Sequence, residues 1–153
     1  MKRLAVLLIL FAGLGSSALA GQPPITPETL VGQIYAEDGA VIEPAKLPRY
    51  YSRDLAPALA RDQRSEGVGA IGFDWLWSAQ DMEITDLSFV EVATGPGGAV
   101  VEARFGNFGQ PTVVTWELCR RPDGQYRVVD VRGGGDETWS LRALLDLPET
   151  PKC

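Results

Sequence analysis

Any chemistry in this chain has to be done without histidine, because the sequence contains none. That removes Ser-His-Asp and Cys-His nucleophile systems, whose base is an imidazole. Acid–base work by carboxylates stays open, and two aspartates are placed for it. Asp130 sits between Val128 and Arg132 in a strand-like run, and Asp81 follows an aromatic segment. If both faced a dry interior, burial would raise their pKa values toward the range a general acid or base needs. The competing reading is structural: a buried Asp130 paired with an arginine such as Arg53 or Arg142, fixing helix to sheet. Two cysteines, Cys119 and Cys153, with no histidine beside them make a poor metal set, so neither a metal nor another cofactor is expected. The run Gly133-Gly134-Gly135 lacks the Lys-Ser/Thr that a phosphate loop requires and reads as a hinge.

The segment Phe73-Asp74-Trp75-Leu76-Trp77-Ser78-Ala79-Gln80-Asp81 is the densest aromatic stretch. Large aromatics bury about 150–250 Å² each and serve equally to plug a small core or to line a pocket. With Tyr51 and Trp116 from elsewhere in the chain, Trp75, Trp77, Gln80 and Asp81 form a candidate ligand-binding rim. The plug reading stands beside it, and the two uses are compatible. Asn107, between Phe105 and Phe108, reads as a bulge or turn residue.

The ends and the composition bound the setting. Lys2 and Arg3, the apolar run Leu4–Leu14, and Ala18-Leu19-Ala20 form a bacterial export signal cleaved after Ala20. The apolar run is too short for a membrane span, which needs about 20 residues. Residues 1–20 are therefore the signal, 21–27 a lead-in, 28–147 one domain and 148–153 a tail, with periplasmic or secreted localisation. Without Lys2 and Arg3 the basic residues fall from 14 to 12 against 20 acids, a net charge of −8. Such a surface does not suit nucleic acid or anionic lipid, and no membrane insertion follows cleavage. In an oxidising compartment an even cysteine pair reads as a disulfide. A free thiol on a loose tail and an intermolecular bridge are the alternatives.

The elements that must position these residues are helices first and strands after. Thr26, Pro27 and Ile25 provide an N-cap, a first helical residue and a staple for a helix over 25–39, with Leu30, Val31, Ile34 and Tyr35 at helical spacing. A second helix over 49–66 would place Tyr51, Leu55, Ala58, Leu59 and Asp62 on one side, with Pro57 forcing a kink or a late start. Stretches 83–94, 99–108, 112–120 and 126–132 alternate and are rich in Val, Phe, Thr and Trp, joined by Gly- and Pro-containing turns. Val114, Trp116 and Leu118 share one strand face, turned toward the helices. Glu102, Arg104 and Glu117 would form cross-strand charges on the wet face. Residues 139–147 read as a short closing helix. The expected fold is α+β: two N-terminal helices packed on a curved four-stranded antiparallel sheet, cone-like or cystatin-like, with a short C-terminal helix.

Four stretches, "PRYYSRDL" (48–55), "FDWLWSAQDMEI" (73–84), "FGNFGQP" (105–111) and "YRVVDVRGGGDETWSLRALL" (126–145), carry a resemblance. The chain resembles a secreted bacterial family, domain of unknown function 3828, and more broadly the cone-shaped nuclear transport factor two and SnoaL-like superfamily. The resemblance spans about residues 28–147 and implies the fold and export, with no activity attached. The superfamily's dehydratases and isomerases use a His or Asp inside the cone, and the absence of histidine rules out the His-based version here. Three functions follow as expectations. The first is an exported, non-catalytic module binding a small apolar molecule or an envelope protein. The second is a cofactor-free lyase or isomerase using Asp130 or Asp81, and the third an inhibitor or immunity protein.

Overall fold

The computed structural model describes residues 24–134 and 138–153. Residues 1–20, read above as an export signal, residues 21–23 of the expected lead-in and Gly135 of the glycine run lie outside the described residues. The chain is an α+β protein with one five-stranded antiparallel sheet, its strands in sequence order. Helix α1 spans Pro27–Ala36, and helix α2 spans Leu55–Asp62. The strands are β1 Ile84–Gly95, β2 Gly98–Asn107, β3 Gln110–Arg120, β4 Tyr126–Gly133 and β5 Trp139–Ser140, and α3 is Leu141–Leu144.

Helix α1 starts where its caps dictate. The Thr26 hydroxyl accepts from the Thr29 N–H at 3.2 Å and Pro27 holds the first helical position, where no N–H is needed. Its Leu30, Val31 and Ile34 are buried, and the helix lies against β1 and β2. Helix α2 begins at Leu55, not at Arg49. Pro57 thereby falls in the first turn, where its missing N–H is harmless. The residues before it serve a different purpose. Leu47–Arg49 is a short 3₁₀ turn, and Tyr51 is extended, forming a parallel bridge to Val128. There the Ser52 N–H donates to Val128 O at 2.9 Å and the Val128 N–H donates to Tyr50 O at 2.8 Å.

The sheet is a meander set by its turns. Phe108 and Gly109 both take positive φ (48° and 72°) between the paired residues Asn107 and Gln110. That is the backbone a two-residue hairpin of right-handed twist requires, and glycine supplies half of it without strain. Val101, Ala103, Phe105, Val114, Trp116, Leu118, Val128 and Val131 are buried in one cluster with the helices, so this face carries the core. On the other face Arg104 pairs with Glu102 of its own strand at 2.7 Å, and Glu117 pairs with Arg132 of β4 at 3.1 Å. The expected charge ladder is therefore partly within one strand.

The C-terminal part differs from the expected four strands and closing helix in two ways. Trp139 and Ser140 add a fifth strand by pairing with Gly133 and Arg132. The Trp139 ring covers Gly133 so closely that a Cβ there would lie 2.6 Å from it, so only glycine fits. The helix then shrinks to Leu141–Leu144, capped by the Ser140 hydroxyl, which accepts from the Ala143 N–H at 3.1 Å. It cannot continue, because Asp146 takes a left-handed φ of 53° and Pro148 follows.

The tail is pinned. Cys119 and Cys153 form a disulfide, and the Arg53 N–H donates to Lys152 O at 3.1 Å. Closing a loop with 34 residues of separation removes unfolded-chain entropy worth roughly 3–4 kcal/mol. Cys153→Ser should lower the unfolding free energy by about that amount in urea titrations, and an unchanged midpoint would refute the entropic account. The core also holds the Tyr51 hydroxyl without a hydrogen-bond partner among the described residues. An orphaned buried hydroxyl costs about 1–3 kcal/mol. Tyr51→Phe should therefore leave the protein as stable or raise its urea midpoint, whereas a clear loss would reveal an unseen partner.

Candidate functional site

The aromatic segment folds into a compact plug. Asp74 and Ala79 form a two-way backbone bridge (3.0 and 3.2 Å), and the Asp74 carboxylate accepts from the Leu76 N–H at 3.0 Å. Burial pushes the Asp74 carboxyl upward, and the nearby charge of Asp38 pushes it the same way. Inside the loop Trp75 and Leu76 are buried. The Trp75 ring packs edge-on to Tyr51 at 6.3 Å and against Trp116 at 5.7 Å. Trp77, half-buried, meets Tyr35 at 5.0 Å and Phe105 at 5.3 Å. The Tyr35 hydroxyl donates to Leu76 O at 2.6 Å, tying α1 to the plug. Edge-to-face ring pairs each add about 0.5–1.5 kcal/mol beyond area burial.

This arrangement divides the residues expected to form a rim. Tyr51, Trp75 and Trp116 are core residues packed ring on ring, and Trp77 is the half-buried end of the same stack. Gln80 and Asp81 are exposed on the chain leading to β1. Asn107 fixes that lead: its Oδ1 accepts from the Glu83 N–H at 2.9 Å, and its Nδ2 donates to Asp81 O at 3.3 Å.

A cavity of about 300 Å³ with a mixed wall opens beside the plug, its apolar side formed by Leu59, Val68, Ile71, Phe73 and Trp75 and its polar side by Asp62, Gln63, Ser65 and the backbone of the glycine-rich loop. Asp62 accepts from the Ala70 N–H at 2.6 Å and so holds the glycine-rich loop that forms the far wall. Val68 stands 82% exposed at its mouth. The sequence reading passed over Phe73, Leu59 and Val68 as lining residues. The available signal was an apolar valine set between Gly67 and Gly69, a poor choice for a solvated loop. A larger hollow of about 650 Å³ lies by β4, β5 and α3. Among the described residues its one charged lining residue is Arg132, already bound to Asp130 and Glu117.

Asp130 does not face the helix-filled interior. Its register partner is Glu117, on the opposite face of the sheet, and the C-terminal segment buries it there to 1% exposure. Oδ1 accepts from the Val131 and Arg142 main-chain N–H groups at 2.9 and 3.1 Å, and Oδ2 accepts from Arg132 Nε at 3.0 Å. The carboxylate thus anchors α3 to β4.

The Arg142 guanidinium goes elsewhere than to Asp130. Nη1 donates to Val129 O at 3.1 Å, Nε to Pro148 O at 2.8 Å, and Nη2 to Asp54 at 2.8 Å as well as to Pro148 O. Asp54 in turn caps α2 by accepting from the Leu55 N–H at 3.1 Å, and it accepts from the Ser52 hydroxyl at 2.7 Å and the Lys152 N–H at 3.2 Å. Arg53 takes no part in either carboxylate's shell. Burial alone would raise the Asp54 carboxyl. The bonds from Arg142, Ser52 and Lys152 outweigh it and hold the pKa down at about 2.

Among the described residues no group of three or more His, Cys, Asp or Glu is placed to hold a metal ion, and no helix is long and apolar enough to cross a membrane. No family model, curated protein or solved structure matches the chain. The likeness drawn from residues 48–55, 73–84, 105–111 and 126–145 therefore rests on those residues alone.

A carboxylate whose folded pKa is depressed stabilises the fold above its unfolded value near 4, and that contribution is lost as pH falls through about 2. Unfolding free energies of wild type and Asp54→Asn, measured from pH 6 to pH 2, should differ by about 2 kcal/mol at the upper end. The two curves should converge toward pH 2. A constant gap across that range would show that the carboxylate charge is not what stabilises.

Proposed function

We propose that the protein is an exported, non-catalytic binding module that takes a small apolar molecule in the cavity beside the Phe73–Ala79 plug. The observation that supports this reading is the cavity itself. It measures about 300 Å³, is walled by Phe73, Trp75, Leu59 and Ile71, and has an exposed valine at the mouth. That volume is at the lower end for small-ligand sites, and an aromatic and aliphatic wall facing a few polar groups, here Asp62, Gln63 and Ser65, is their usual chemistry. The disulfide is compatible with an extracellular or periplasmic protein. Export itself rests on the reading of residues 1–20.

The finer fold reading belongs to the same proposal. We take the two helices followed by an antiparallel meander as a cone-like roll related to the nuclear transport factor two and SnoaL-like proteins, and to domain of unknown function 3828. The element order and the helix-covered sheet face support this. The lyase alternative loses ground because the lone pairs of Asp130 are committed to main-chain and guanidinium donors, and Asp81 stands exposed.

Neutral apolar compounds such as indole and cyclohexanol, together with an apolar fraction of a bacterial envelope extract, supply the test by thermal shift. Ligand at a hundredfold excess over its Kd should stabilise by about 2.7 kcal/mol, a rise of several degrees in Tm. Val68→Arg, at a position with no core role, should abolish the shift without changing the unliganded Tm. No shift with any compound or fraction overturns the reading.

A further inference from the structure

A second cavity, of about 290 Å³, lies where the chain before α2 meets β4 and the disulfide-bound tail. Its charged lining side chains are Arg53, Arg121 and Arg127, and no aspartate or glutamate among the described residues lines it. Three guanidinium groups around one small cavity are notable in a chain with 20 acids and 14 bases, where opposite charge is abundant. The uncharged wall is Pro48, Tyr51, Ala56 and Pro57, with Ser52 at its edge and Cys153 closing it.

The arginines are only partly used by the fold. Arg127 Nε donates to Pro48 O at 3.2 Å and Nη1 donates to Tyr126 O at 2.6 Å, which fixes the plane of the guanidinium and leaves Nη2 unpartnered among the described residues. Arg121 has one exposed contact, to Asp123 at 3.4 Å. The exposed Arg53 side chain makes no hydrogen bond or ion pair among the described residues. Burial, and then the neighbouring charge of Arg121, makes the Arg127 cation less favourable than in water. Like charges gathered this way, one of them fixed by backbone carbonyls, leave guanidinium hydrogens turned to a shared space. Planar guanidinium forks are matched to carboxylate and phosphate oxygens.

We propose that this cavity binds a small organic oxyanion, with Arg127, Arg121 and Arg53 on the charged group and Pro48, Tyr51, Ala56 and Pro57 around a short apolar body. The site is independent of the cavity beside the plug. It uses different lining residues, so either can fail alone. Its rear wall is Cys153, held by the bond to Cys119, so the receptor is complete in the disulfide-bonded protein.

The experiment titrates phenyl phosphate, benzoate and neutral benzyl alcohol into the disulfide-bonded protein at low salt, by calorimetry and by NMR of the arginine Nε–H signals. The expected result is saturable binding of at least one anion with Kd below about 10 mM and displacement of the Arg127 signal by that anion, with no displacement of that signal by benzyl alcohol. Arg53→Ala should weaken that binding about tenfold and leave Tm within about 1 °C, since this side chain holds nothing in the fold. Binding of phenyl phosphate alone would assign the site to phosphate monoesters, and of benzoate alone to carboxylates. Failure of both anions to bind overturns the proposal. So does anion binding that neither Arg53→Ala nor Arg121→Ala weakens, or an Arg127 displacement that benzyl alcohol reproduces.

Discussion

The pair Asp54–Arg142 is the joint on which the rest of the architecture depends. Strand β4 has one neighbour, β3, along its whole length, but its other edge is shared. Tyr50–Ser52 pairs with its first half through Val128, and β5 pairs with its last two residues. Between these partners the Val129 carbonyl would be left buried without a donor. The Arg142 guanidinium fills that gap, and its remaining hydrogens reach Pro148 O and Asp54. A single planar cation thus satisfies a strand edge, a turn carbonyl and a helix-capping carboxylate. Its side chain is only 5% exposed, and that of Asp54 only 11%. Buried ion pairs seldom stabilise by charge alone, because desolvation offsets attraction, but breaking one leaves an uncompensated charge at a cost of about 3–5 kcal/mol. The pair's role is to fix which segments meet.

That constraint explains where open space is left. The sheet face under α1 and α2 is filled by ring-on-ring packing of Tyr51, Trp75 and Trp116, with Trp77 and Tyr35 alongside. Dense packing of this kind leaves little room for a ligand in the interior. Space appears instead at the seams where loops meet the core: beyond the C-terminal end of α2, and before its N-terminal end. Tyr51 stands between them, lining the arginine cavity on one side and meeting Trp75 of the plug cavity on the other.

How much of this was legible in the sequence depended on how local each cause was. The start of α1 is written in three adjacent residues, Ile25, Thr26 and Pro27. The meander is written in turn residues and alternation, and the facing of Val114, Trp116 and Leu118 in the period of two. These signals need no partner elsewhere. Tyr51 was read as helical because its spacing to Leu55 and Leu59 is helical, yet Val128, far along the chain, offers it a strand edge. Likewise Trp139 looked like a helix residue and became a strand because Gly133 leaves room for its ring. Asp130 was expected to choose between catalysis in a dry interior and an arginine partner. Register decided its face, and burial came from the C-terminal segment, which no local pattern foretells.

The same reasoning shows why a pinned tail matters more than its length suggests. Residues 148–153 carry no secondary structure, yet Pro148 O, the Lys152 N–H and carbonyl, and Cys153 each bond to a different part of the fold. Chain ends fray unless tied, and this one is tied four ways. One of those ties, the Lys152 N–H on the Asp54 carboxylate, is charge-assisted and weakens when that carboxylate is protonated. The bonds from Arg53 and Arg142 to main-chain carbonyls do not depend on that proton, and the disulfide is covalent and indifferent to pH. The wall of the arginine cavity is thus held largely by contacts that acid leaves in place, and reduction removes its one covalent tie.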